Sequence, residues 1–274
     1  MTQADRKIFF FDLDGTLLNS EKIITADTYN ALSRWHERGH LLAISSGRPM
    51  VSIEQVIREQ KLENFFPYSI AFNGCYIKKY GESTPLLKYT VSMDDMKLVA
   101  REAAALDLYI HYYDDTHIMT PHEGRELEFY TRVVKLPYRV VGEFPAGILS
   151  ESCKMICIDL DSTGRQEILA KKITAATEGR LSCIMSNPWY MEIFPAYAGK
   201  GAAVNSMLSL LGISRENSYA AGDEENDISM LKSAGLGIAP ANASESVKAA
   251  ADIVCADDND HDAFAEILLK EAGP

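Results

Sequence analysis

The most constraining stretch of the chain is Ile8-Phe9-Phe10-Phe11, followed at once by Asp12-Leu13-Asp14-Gly15-Thr16. A short apolar run of this kind reads as a buried strand of a parallel sheet. In open α/β sheets, ligands bind in the crevice beyond the carboxyl ends of the strands, so Asp12 and Asp14 stand where chemistry is expected. Two acids one residue apart on a loop, with Gly15 allowing an unusual turn, make a poor structural element. They suit a hard cation such as Mg²⁺, which takes oxygen ligands and keeps substrate phosphate in its shell. The plain alternative is a strand that ends in a polar turn.

The same pattern recurs along the chain. Thr25 to Arg38 has helical periodicity, with Thr25 as N-cap and Gly39 as stop. Leu41 to Ile44 is a second buried strand, running into Ser45-Ser46-Gly47-Arg48-Pro49. The Ser46 hydroxyl, the approachable backbone at Gly47 and the Arg48 cation suit phosphate oxygens, whereas Ser46 could equally cap a helix over 51–60. A third strand, Ser69 to Phe72, ends at Asn73-Gly74, and a hairpin follows around Gly81-Glu82. This β-α-β-α-β order is half of a doubly wound fold.

From about residue 83 to 187 the pattern changes to mixed helices and strands, as in a separate α+β module. Tyr190 to Phe194 reads as the return to the first fold, and Lys200 then opens a helix that stops at Gly212. A lysine at a helix start opposes the macrodipole, which makes sense if it points into an anion site; the alternative is a solvated lysine. Tyr219 to Ala221 is a strand ending in Gly222-Asp223-Glu224-Glu225-Asn226-Asp227, where Asp223 and Asp227, four apart, can lie on one side of the turn. The expected architecture is α/β: a doubly wound, mostly parallel Rossmann-like sheet from residues 1–82 and 188–274, with an inserted α+β module over 83–187.

Composition narrows the class of partner. With 274 residues, 47% of them hydrophobic and 24% charged, the chain can bury a large core, and more than one domain is expected. A net charge of −12 argues against nonspecific binding to nucleic acid or anionic membranes, and it obliges any site for an anionic substrate to be made locally positive. No apolar run is long enough to span a bilayer, and the N-terminus lacks the apolar core of a secretory leader, so the cytoplasm is the expected location. The five cysteines are scattered, without a Cys-x-x-Cys pair, and fit a reducing compartment. His111, His117 and His122, with Asp114 and Asp115, could be a transition-metal site or a solvated hairpin; their spacing does not match a short-range zinc pattern.

Four ordered signatures, Asp12-Leu13-Asp14-Gly15-Thr16, Ser46-Gly47-Arg48, Lys200-Gly201 and Gly222 to Asp227, resemble those of the haloacid dehalogenase superfamily, and specifically its Cof-type sugar-phosphatase-like branch with a large α/β cap. Asn73-Gly74 and the Glu192-Ile193-x-Pro195 approach to Lys200 fit that branch. Two departures stand out: Ser46 replaces the usual threonine, and Tyr197-Ala198-Gly199 replaces a more usual Gly-Val-Ser.

The resemblance implies a Mg²⁺-dependent phosphatase of small phosphorylated metabolites, sugar phosphates first. It makes Asp12 the nucleophile and Asp14 the acid and base. Ser46 and Lys200 bind the phosphoryl oxygens. Mg²⁺ is held by Asp12, the Asp14 backbone carbonyl and Asp223, while Asn226 and Asp227 orient this shell. Gly47, Arg48 and Asn73 become substrate contacts. The inserted module is then a cap that selects the leaving group. A phosphotransferase or phosphomutase of the same superfamily would use the same residues. A phospho-accepting receiver fits poorly with a 100-residue insert, a catalytically dead binding protein fits poorly with the retained acids, and dehalogenation has no use for a metal-binding acid cluster.

Overall fold

A computed structural model describes residues 6–273, which fall into two compact units. The first unit runs to Leu87 and resumes at Gly199; the second is Lys88–Ala198. In chain order the first unit begins with β1 (Ile8–Phe11), α1 (Ala26–Glu37), β2 (Leu41–Ser45), α2 (Met50–Glu59), β3 (Tyr68–Ala71), β4 (Tyr76–Lys79) and β5 (Leu87–Lys88). The second unit contributes α3 (Met93–Ala104), β6 (Tyr109–Tyr113), β7 (Ile118–Thr120), α4 (Arg125–Val134), β8 (Tyr138–Val140), β9 (Met155–Ile158), α5 (Arg165–Ala176), β10 (Leu181–Asn187) and β11 (Tyr190–Pro195). The first unit is completed by α6 (Lys200–Leu211), β12 (Ser218–Ala221), α7 (Ile228–Ser233), β13 (Leu236–Ala239), α8 (Glu245–Ala250), β14 (Ile253–Val254) and α9 (Ala265–Ala272).

The first unit holds an eight-stranded sheet in the order β14-β13-β12-β1-β2-β3-β4-β5. It is parallel from β14 to β3, and β4 turns back antiparallel to β3. Every residue of β1 is buried, and its side chains alternate between the two faces. Ile8 and Phe10 join Ala203, Val204 and Met207 of α6 and Met230 and Leu231 of α7 on one side. Phe9 and Phe11 stack with centroids 4.1 Å apart on the other, where Phe9 meets Trp35 of α1 and Phe11 meets Phe264. The Trp35 indole N–H donates to the Leu41 carbonyl at 2.9 Å, which anchors the aromatic layer to β2. The chain winds outward from β1 to β3 in one direction and from β12 to β14 in the other. β1 therefore lies at the topological switch point, and the loops after β1, β2 and β12 converge there.

The second unit holds a six-stranded sheet in the order β10-β11-β9-β6-β7-β8, antiparallel except for β7 with β8. One face packs beneath α3 and α5, burying Ile110, Tyr112, Met155, Cys157, Met191 and Ile193. Two expectations are corrected here. Tyr190–Pro195 does not return to the first fold; it pairs antiparallel with both β9 and β10. The inserted unit accordingly extends to Ala198 and begins at Lys88, in place of 83–187. An apolar strand length does not reveal which sheet it joins, and here the tight β10–β11 hairpin keeps both strands together.

The histidine-bearing segment also differs from a solvated hairpin. The turn over Asp114 to Thr116 is polar, but β6 is buried throughout, and His111 is fully buried with neither ring nitrogen hydrogen-bonded among the described residues. The rings of Tyr113 and Tyr130 lie 5.5 and 4.6 Å from it. Among the described residues, His111, His117 and His122 do not form a ligand cluster. Burial, reinforced by the nearby Lys154 ammonium, lowers the His111 imidazolium from the ordinary 6.5 to about 3. His111 is thus neutral when folded and protonated when unfolded below pH 6.5, so it withdraws stability as the pH falls from 6.5 toward 3. His111→Phe should remove this dependence: relative to the variant, the wild type should lose about 2 kcal/mol between pH 7 and pH 5 in urea titrations. Parallel pH profiles for the two proteins would contradict this account.

Candidate functional site

Strand register brings the signatures together. Phe11 pairs with Ala221 on one side and Ile44 on the other, so Asp12, Gly222 and Ser45 leave the sheet side by side. The Asp12 N–H still donates to the Ala221 carbonyl at 3.0 Å, and the Ser46 N–H to the Ile70 carbonyl at 2.9 Å. Lys200 arrives at the first residue of α6, its side chain 1% exposed. It donates to Asp12 Oδ1 at 2.6 Å and to Asp227 Oδ1 at 2.5 Å. The misplaced positive charge at this helix start is therefore matched by two buried carboxylates, not by solvent.

The charges do not balance. Asp12, Asp223 and Asp227 each bring one carboxylate oxygen within 4.8 Å of the others, while among the described residues Lys200 alone donates an ammonium to this group. Burial above all, then Asp227 and Asp223, pushes the Asp12 carboxyl up to about 8 against the pull of Lys200. Burial and the neighbouring acids likewise push Asp223 up to about 6, although Thr16 donates to its Oδ1 at 2.6 Å. Burial alone would lower Lys200, but the charges of Asp12 and Asp227 hold it above its ordinary value. Asp227 has both oxygens engaged, Oδ1 by Lys200 and Oδ2 by the N–H groups of Asp223 and Glu224, each at 3.1 Å. Asp12 and Asp223 each spend Oδ1 on a protein donor, which leaves Oδ2 of each for a further cation. An all-oxygen, anion-rich set of this kind fits a hard divalent ion. Gly15, at φ +76°, is the contact that lets the loop close over this set: a Cβ there would lie 2.3 Å from Asp223 Oδ2.

Asp14 faces elsewhere. Its carboxylate takes Arg48 Nε on Oδ2 at 2.7 Å and Arg48 Nη2 on Oδ1 at 2.6 Å, and Lys22 Nζ also donates to Oδ1, at 3.0 Å. Burial would raise the Asp14 carboxyl, but Arg48 and then Lys22 outweigh it and hold it below the usual carboxylate range. Arg48, expected to contact substrate, is thus engaged with Asp14. Ser46 does not cap the following helix, whose N-cap is Pro49; its Oγ accepts the Arg48 N–H at 3.2 Å, which leaves the hydroxyl proton to donate. Asn73 holds a left-handed conformation at φ +54°, with its N–H on the Ser46 carbonyl, and accepts from Asn226 Nδ2 at 3.2 Å. Asn226 thus meets Asn73, while Asp227 lies within the cluster itself. Thr16 was part of the first signature but was given no role of its own, and Lys22 had no signal in the sequence beyond being a polar residue in a polar loop.

A family model described as haloacid dehalogenase-like hydrolase matches residues 9–268. The chain is 29% identical to the 5-amino-6-(5-phospho-D-ribitylamino)uracil phosphatase YcsE of Bacillus subtilis, over 97% of this chain and 95% of that one. It is 29% identical to the pyridoxal phosphate phosphatase YbhA of Escherichia coli, over 96% and 97%. The crystal structure of a haloacid dehalogenase-like hydrolase from Bacteroides thetaiotaomicron superposes with a TM-score of 0.87 at 28% identity, covering 97% of this chain and 99% of that one. None of the described helices is long and apolar enough to cross a membrane.

Lys200→Met should strand Asp12 and Asp227 without their shared cation and cost about 3–5 kcal/mol of stability in urea unfolding. Adding Asp227→Asn to that variant should recover part of the loss. An unchanged midpoint for Lys200→Met would sink the shared-charge account.

Proposed function

Because the chain belongs to the haloacid dehalogenase-like hydrolases, in their Cof-type branch, we propose that it is a Mg²⁺-dependent phosphatase of small phosphorylated metabolites working through an aspartyl-phosphate on Asp12. The observation that carries this reading is the buried cluster of acids at Asp12, Asp223 and Asp227 around the Lys200 ammonium. Such a site has a place for a divalent cation and, beside it, a cationic side chain already aimed at the nucleophile.

Asp12 Oδ2, Asp223 Oδ2 and the Asp14 backbone carbonyl would hold the ion. When bound, Mg²⁺ would supply positive charge to the phosphoryl oxygens and favour the ionised form of Asp12. One oxygen of Asp12 attacks phosphorus as the ester P–O bond breaks, which divides a difficult hydrolysis into two displacements. The Ser46 hydroxyl and Lys200 donate to the oxygens that carry the spreading charge. Asp14 gives its proton to the departing ester oxygen; the ionised carboxylate left behind then takes a proton from the water that attacks the aspartyl-phosphate, releasing phosphate and restoring Asp12. Asp14 in its pairing with Arg48 is in the second of these forms. Asn73, which accepts from Asn226 and lies beside Gly47, would contact the substrate in this reading. Sugar phosphates lead as substrates by the resemblance of the motifs; the two named relatives extend the class to phosphate monoesters of pyridoxal and of a ribitylated uracil.

Phosphate release should be measured from sugar phosphates, pyridoxal phosphate and a ribityl phosphate, with Mg²⁺, with chelator, and with Asp12→Asn. Release should require the metal and fall at least about 10³-fold in the variant. Full activity in Asp12→Asn would remove the nucleophile assignment. Phosphoryl transfer to a sugar hydroxyl without free phosphate would convert the reading to a phosphotransferase.

A further inference from the structure

Lys22 stands at φ +63°, in the left-handed region, within the loop that follows the first signature. The loop is tightly tied. Asn19 Oδ1 accepts the N–H groups of Glu21 and Ile23, each at 3.0 Å, and the Lys22 N–H donates to the Asn19 carbonyl at 2.9 Å. Ser20 is bound to Asp260 through both its N–H and its hydroxyl, and the Ile24 N–H reaches Gln60 Oε1 at 3.1 Å. A rigid base thus presents an otherwise flexible side chain. The left-handed conformation is unfavourable for a lysine, and an ion pair to Asp14 with side chains 58% and 40% exposed does little to offset it. Stability does not explain why this lysine is aimed at Asp14.

Counting acceptor positions does. An ionised carboxylate has about four lone-pair sites, two on each oxygen. Arg48 Nη2 and Lys22 Nζ take those of Oδ1, and Arg48 Nε takes one of Oδ2. The remaining site is on Oδ2. Without Lys22 both oxygens keep one open site and the carboxylate has two equivalent ways to work. Lys22 removes that degeneracy.

We propose that Lys22 is a positioning residue for Asp14: by closing Oδ1 it makes Oδ2 the oxygen that exchanges a proton with the leaving group, and holds it at one place. This rests on the phosphatase reading above. The proton moved is the one that Asp14 Oδ2 gives to the ester oxygen as the P–O bond breaks, so the contribution of Lys22 must scale with how badly the leaving group needs protonation. An alkyl phosphate needs it; p-nitrophenyl phosphate, whose leaving phenolate is stable, does not.

The test compares kcat/KM on a sugar phosphate and on p-nitrophenyl phosphate for wild type, Lys22→Ala and Lys22→Arg, all with Mg²⁺. For Lys22→Ala the sugar phosphate should lose about 10–100-fold, the range that misplacing a catalytic group produces, with p-nitrophenyl phosphate changed less than about 3-fold. Lys22→Arg, which keeps the charge and reach, should restore most of the sugar-phosphate rate. Both substrates carry the same phosphate, so a role in phosphate binding or in folding would lower them equally, and an equal loss overturns the proposal. So does no loss, or a gain on the sugar phosphate. A wild type that releases phosphate from neither ester overturns the phosphatase reading itself, and this proposal with it; a wild type active on both leaves that reading intact whatever the variants do.

Discussion

One buried ammonium joins carboxylates from opposite ends of the chain: Lys200 touches Asp12 from the first strand and Asp227 from the turn after β12. Removing two or three charges from water is costly, and their mutual attraction offsets that cost only with close geometry. The surrounding structure supplies it. β1 lies between β2 and β12 in register, α6 delivers Lys200 at its first residue, and the backbone N–H groups of Asp223 and Glu224 hold Asp227. The hydrophobic layers on either face of β1 keep these termini at fixed spacing, so packing far from the acids determines their electrostatics.

Two kinds of acid coexist within three residues. Asp12 is buried, paired with a lysine that it shares, and carries an elevated pKa. Asp14 is partly open, gripped by a guanidinium, and held ionised. Strict alternation would put residues 12 and 14 on one face; the turn that begins at Leu13 breaks it, so Asp12 meets Lys200 while Asp14 meets Arg48 and Lys22. Leu13 itself is fully buried.

Much of this was legible in the sequence, for identifiable reasons. Each signature ends a short buried strand, and an apolar run that stops at acids, a hydroxyl or glycine leaves little ambiguity about where those residues lie. Lys200 was legible because it contradicts the helix dipole. What was not legible depends on long-range pairing. Nothing in Tyr190–Pro195 distinguishes a strand of the parallel sheet from a partner of β9 and β10. His111 lies in a β6 whose aromatic residues occupy both faces, so alternation gave no hint that it is buried. The Thr16–Asp223 bond joins residues 207 positions apart, Asn226 meets Asn73 across 153, and Lys22 is an ordinary residue of a polar loop until Asp14 is seen beside it.

The position of β1 also bears on how the chain is made. Its early neighbour, β2, leaves the ribosome soon after it, but its other neighbour, β12, is encoded on the far side of the inserted unit. At about 5–20 residues per second, the strand carrying three consecutive phenylalanines waits roughly 10–40 s with one edge unpaired. Through that interval the nascent chain exposes an apolar edge with nothing of its own to cover it. The charged pair Asp12 and Asp14, directly beyond that edge, discourages strand addition from other chains while synthesis finishes.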